Sequence, residues 1–101
     1  MKPGHTRLFR AVLTAELNDL KRLSAFRNPL GSEVKYFALN EWHASIYADL
    51  ASTRFDEGPY FLVATWLPTG LLIPEYRVAI EYGIVAVVLP TDLLGSLSSL
   101  T

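Results

Sequence analysis

Charged residues are distributed very unevenly along this chain of 101 residues. Only four of the last 43 residues carry a charge, against fifteen of the first 58. A segment with so few charges must bury its strands on both faces, or present an apolar surface that another molecule covers. The sequence therefore predicts a protein that associates with a copy of itself or with another protein.

Length and composition predict one folded domain spanning residues 1–101. Half of the residues are hydrophobic and 19% are charged, which is typical of a chain that buries a core. The absence of cysteine excludes disulfides and thiolate metal sites. Prolines and a glycine interrupt the uncharged run 58–74, so no membrane-spanning helix is expected. The amino terminus lacks the apolar core of a secretory signal, and we expect a soluble, cytoplasmic protein.

Residues 6 to about 27 have the spacing of an amphipathic helix. Apolar side chains recur every three or four residues from Phe9 to Leu23. Thr6 is the expected N-cap, and Asn28-Pro29 ends the helix because proline disfavours helical geometry in the preceding residue. The sequence predicts one long N-terminal helix.

Residues 34–39 are typical of a short strand, whereas residues 41–53 fit two structures. Apolar and polar residues alternate from Glu41 to Leu50, as in a half-buried strand. The same residues form an apolar helical stripe that includes Trp42 and Ile46, with Asn40 as the N-cap. Three alanines favour the helix, and the strand remains the alternative.

Two further strands are predicted, at 60–67 and 76–89, and both carry apolar residues on both faces. The elements together predict an α+β fold, in which the N-terminal amphipathic helix packs on a small, mainly antiparallel sheet of three or four strands. A sheet has two faces, and one long helix covers only one of them. The uncovered face, or the edge of strand 76–89, is the predicted site of self-association.

The apolar run Leu71-Leu72-Ile73 strengthens the interpretation as an interaction or assembly module. It occupies a connection between Gly70 and Pro74, where polar residues are usual. Aromatic residues nearby are of the type that contributes strongly to interfaces. The predicted partner-binding residues are Tyr60, Trp66, Leu71, Leu72, Ile73, Tyr76 and Tyr82.

The alternative function is binding of anionic partners, either nucleic acid or an acidic protein. Residues 1–35 hold seven basic and three acidic side chains. On a helix, the candidate anion-binding residues would form a basic stripe; they are Arg7, Arg10, Lys21 and Arg22. Glu16 and Asp19 dilute this stripe, so nucleic acid ranks below a protein partner.

Catalysis ranks third. His43, Tyr47 and Asp49 are the strongest candidate set, and His43 and Tyr47 would share one face of a helix. Spacing alone supplies neither the cleft nor the shifted pKa that general acid–base chemistry needs. His5 and His43 each lack a second closely spaced ligand. We therefore expect no metal, no cofactor and no enzymatic activity.

Overall fold

A computed structural model of the protein describes residues 3–23, 26, 34–56, 58–79 and 85–97. In these ranges, five strands form one antiparallel sheet together with two α-helices, so the fold is α+β. The strands and helices are β1 (His5–Val12), α1 (Thr14–Leu23), β2 (Val34–Ala38), α2 (Glu41–Phe55), β3 (Phe61–Pro68), β4 (Arg77–Ala79) and β5 (Val85–Pro90). Short 3-10 turns follow β3 and β5 and precede β4. Neither of the helices in the described ranges has the length and apolarity needed to cross a bilayer.

The strands lie in the order β3-β1-β2-β5-β4, and every neighbouring pair is antiparallel. β1 pairs with β3 over eight residues, from His5 opposite Pro68 to Val12 opposite Phe61. β2 pairs with β5 over five residues. By contrast, β1 and β2 pair at a single position, where Phe9 lies opposite Ala38. The centre of the sheet is therefore its most weakly paired junction.

One face of the sheet carries the main hydrophobic core. Because side chains alternate along a strand, Leu8 and Val12 of β1 point to the same side of the sheet. Apolar residues of the other strands and Leu20 of α1 pack with them. The fully buried core positions are Leu8, Val12, Leu67, Val87 and Leu89, which β1, β3 and β5 provide. This face is covered by α1, by Phe26 and by the turn after β5.

The second face is covered by α2 over only part of its width. Ala44 and Ala51 of α2 are buried, and α2 contacts β1, β2 and β3. The sheet presents four buried alanines on this face, and such small side chains allow close approach; they are Ala11, Ala38, Ala64 and Ala86. Beyond the helix, Val34, Tyr36 and Val78 remain exposed on the same face. The described residues therefore leave part of this apolar sheet face exposed.

The predicted helix over residues 6–27 is wrong for its first half, because residues 5–12 form β1. The helical spacing of this segment coexists with a strand pattern, in which Leu8 and Val12 alternate with Phe9 and Ala11. Pairing with the apolar β3 along its whole length stabilises the strand. Within the described ranges, the predicted helix is observed only as α1. The additional strand is one reason that the sheet has five strands rather than three or four.

The helical interpretation of residues 41–53 is confirmed, since α2 spans Glu41–Phe55. Its N-cap is Asn40, whose side-chain oxygen accepts a hydrogen bond from the His43 backbone N–H at 2.8 Å. The prediction of one strand over 76–89 is wrong. Residues 77–79 and 85–90 are separate antiparallel strands, with Val78 opposite Ala86. A continuous apolar pattern does not reveal a reversal of chain direction, and residues 80–84 lie outside the described residues.

Candidate ligand-binding cleft

A cleft opens where β1 and β2 separate. Both strands continue beyond the pair Phe9 and Ala38, towards Val12 and Val34, but no further pair forms between them. The cleft is shallow: the centres of water-sized molecules have about 30 Å³ of room in it, within about 370 Å³ of empty space that includes open solvent. The residues that line it come from β1, β2, α2 and β5; they are Phe9, Arg10, Ala11, Tyr36, Phe37, Ala38, His43, Ala44, Tyr47 and Ala86.

A charged cluster of Arg10, Glu16 and Lys35 holds β1, α1 and β2 together at the point of separation. The Arg10 guanidinium donates two hydrogen bonds to the Glu16 carboxylate, at 2.7 and 2.9 Å. It donates a third, at 2.8 Å, to the backbone carbonyl of Tyr36. Lys35 donates to the same carboxylate at 3.2 Å. The Arg10 side chain therefore supplies a link between β1 and β2 where the backbone ladder is absent.

Burial and neighbouring charges together shift the pKa values of Glu16 and Lys35. Burial raises the pKa of the Glu16 carboxyl, but the hydrogen bonds and charges of Arg10 and Lys35 outweigh it and lower the pKa below 4.5. Burial lowers the pKa of Lys35 below 10.5, and the Arg10 charge adds to this shift. The Glu16 and Asp19 charges only partly offset both effects on Lys35. The cluster carries two cations and one anion, and Lys35 is its buried member.

Five aromatic residues line the cleft: Phe9, Tyr36, Phe37, His43 and Tyr47. Tyr36 and Tyr47 are 46% and 42% exposed. His43 lies in the first turn of α2, and its Nδ1 atom is buried without a hydrogen-bond partner among the described residues. The cleft is therefore lined mainly by aromatic residues and alanines.

The arrangement suits a flat, largely apolar ligand. Ligand pockets are typically concave and apolar, with a few polar groups that fix the ligand's orientation. The polar residues that line the cleft are Arg10, Tyr36, His43 and Tyr47. The Arg10 guanidinium already binds Glu16 and the Tyr36 carbonyl, and His43 Nδ1 is buried. Within the part of the chain that the structure describes, no three histidine, aspartate or glutamate residues are grouped as metal ligands.

The predicted anion-binding residues do not form one stripe. Arg7 and Arg10 are separated by three positions on a strand rather than on a helix, so they point to opposite faces of the sheet. The Arg7 guanidinium lies over the Trp66 ring, 4.7 Å from its centroid. Arg22 pairs with Asp19 on α1 at 2.7 Å. Lys21 is exposed on the same helix. The basic helical stripe predicted from the sequence is therefore absent from the described ranges.

The predicted partner-binding residues divide between the core and the surface. Leu72 and Tyr76 are partly buried and pack against the core. Leu71 and Ile73 are exposed. Tyr60 precedes β3 and Trp66 lies within it, and both are half-buried. Tyr82 lies outside the described residues.

Sequence reasoning identified His43 and Tyr47 but missed Phe9 and Tyr36. The helical spacing of residues 6–27 predicts Phe9 on an apolar helical stripe, which gives it no position beside β2. The available signal was the strand alternation of residues 34–38. It places Tyr36 on the sheet face opposite to that of the buried Lys35 and Phe37. Comparisons with protein-family models, curated protein sequences and solved structures yield no significant match to this chain.

Proposed function

We propose that this protein binds a small organic molecule with a flat ring in the cleft between β1, β2 and α2. The observation that carries the proposal is the position of Tyr36 and Tyr47, two tyrosines that line one cleft and are 46% and 42% exposed. Tyrosine combines a large apolar ring with a hydroxyl that hydrogen-bonds at the edge of a site. Such side chains at the border of a cleft suit the recognition of another ring.

The cleft would hold the ligand mainly by ring stacking and apolar contact. An aromatic pair contributes about 0.5–1.5 kcal/mol beyond the area that it buries. Loss of one tyrosine ring should therefore weaken binding by about two- to tenfold. Stacking requires no titrating group, and the proposal concerns binding rather than a reaction.

A fragment screen tests the proposal directly. Flat aromatic fragments would be added to the ¹⁵N-labelled protein, each beside a saturated ring of the same size. We expect the aromatic fragments to shift the backbone amide signals of residues 36–38 and 43–47 selectively, because these residues border the cleft. Equal responses to the saturated rings, or shifts that map outside the cleft, would contradict the proposal.

Variants separate cleft binding from general adhesion to apolar surface. Tyr36→Ala and Tyr47→Ala should each weaken the binding of a confirmed aromatic fragment by about two- to tenfold. Ile73→Ala is the matched control, because Ile73 is as exposed as Tyr47, at 42%, and does not line the cleft. It should leave the affinity unchanged. An equal loss in all three variants would show that the cleft does not select the ligand.

A further inference from the structure

The two edges of the described sheet are protected very differently. β4 forms one edge, has three residues and includes the charged Arg77. β3 forms the other edge, has eight residues and carries no charge. Natural edge strands are usually short, charged or interrupted by bulges, because these features prevent pairing with another chain. β3 has none of these features from Phe61 to Leu67, and its pairing with β1 is continuous.

We propose that β3 pairs antiparallel with β3 of a second copy of this chain, about a two-fold axis at Ala64. This pairing would join the two sheets into one and is independent of the ring-binding cleft. In an antiparallel pair, directly opposed residues lie on the same face of the sheet. A two-fold axis at Ala64 then places Leu62 opposite Trp66 and Phe61 opposite Leu67 of the other copy.

The exposed apolar side chains of β3 suit this arrangement. Leu62 is 43% exposed on the face that carries α2, and Phe61 is exposed on the opposite face. Self-pairing would bring Leu62 beside the half-buried Trp66 of the other copy, and aromatic and aliphatic cross-strand pairs stabilise sheets. Leu67, opposite Phe61, is already fully buried, so this pair adds little contact. No like charges meet, since β3 has none. A charged partner strand would instead place its charges against apolar side chains, which is why a second copy is the favoured occupant.

Light scattering on the full chain at high micromolar concentration tests the pairing. We expect the mass of a dimer, and we expect it to persist in 0.5 M salt because the contact is apolar. Concentration-dependent amide hydrogen exchange provides the second measurement. The amides of residues 61–67 should exchange more slowly as the dimer forms. The exchange rates of the β4 amides should stay the same. A monomer mass throughout, or a mass that grows steadily with concentration, would overturn the two-fold pairing.

A pair of charge substitutions locates the interface. Leu62→Lys should raise the dimer dissociation constant at least about tenfold, because a charge would enter an apolar contact. Val78→Lys is the matched control, since Val78 is 42% exposed on the same face but belongs to the opposite edge. It should leave the dimer intact. A dimer that survives Leu62→Lys, or that Val78→Lys disrupts equally, would refute the assignment to β3. Should Leu62→Lys fail to fold, the exchange measurement on the unaltered chain decides.

Discussion

Replacing Glu16 with glutamine removes the only anion that hydrogen-bonds both Arg10 and Lys35 in the described cluster. Glutamine keeps the size of the side chain but carries no charge and has one oxygen acceptor in place of two. The change therefore leaves two cations close together, one of them the almost fully buried Lys35. We expect a clear loss of stability, because an uncompensated charge in a protein interior is costly.

The magnitude follows from the burial of the three side chains. Breaking a buried ion pair by removing one partner costs about 3–5 kcal/mol. The side chains of Arg10 and Glu16 keep 20% and 24% exposure, whereas that of Lys35 keeps 5%. Residual solvation of the first two reduces the cost, and we expect Glu16→Gln to lower the free energy of unfolding by about 2–3 kcal/mol.

Urea denaturation followed by circular dichroism at pH 7 measures this difference. Asp19→Asn is the matched control, because Asp19 and Arg22 form a far more exposed pair on the same helix. This control should cost less than about 0.5 kcal/mol. Lys35→Met supplies an internal test, since it removes the buried cation. In the Glu16→Gln background it should recover about 1 kcal/mol or more of the loss.

The reasoning would be refuted if Glu16→Gln and Asp19→Asn had the same small effect. It would also be refuted if Lys35→Met destabilised the Glu16→Gln variant, because the buried cation would then not be the source of the loss.

Two further predictions concern acid stability and the start of α2. Because folding lowers the pKa of Glu16, the unfolded state takes up the proton first as the pH falls. The stability that ionised Glu16 contributes is therefore complete above pH 4.5. It is lost as the pH falls through the lower pKa of the folded state. Urea titrations at a series of pH values should show this acid-dependent loss in the unaltered chain and a weaker loss in Glu16→Gln; parallel pH profiles would contradict it. Asn40→Ala should cost about 1 kcal/mol, since it removes the cap of the His43 N–H. Ser45→Ala, at an exposed position of α2, should be nearly neutral in the same assay, and equal effects would exclude a capping role.

Local patterns predicted β3, and for residues 41–53 they favoured the helix over the strand that remained the alternative. Asn40 precedes an alanine-containing apolar stripe, and both the cap and the helix depend on residues within a few positions of each other. β3 has apolar residues on both faces and turn residues at its ends, which is enough to define a strand. The same local reasoning was wrong at β1. Residues 6–12 satisfy helical and strand spacing alike, and pairing with the distant residues 61–67 of β3 stabilises the strand.

The sequence by itself determined that this is an α+β protein with more apolar strand surface than one helix covers, because composition and residue spacing are local properties of the chain. Only the tertiary structure decided how that surface is distributed. Packing of α2 covers part of the second sheet face, and the single register pair between β1 and β2 opens the cleft that brings Phe9, Tyr36 and Tyr47 together. These features depend on contacts between residues far apart in the sequence, whose free energies no local pattern contains.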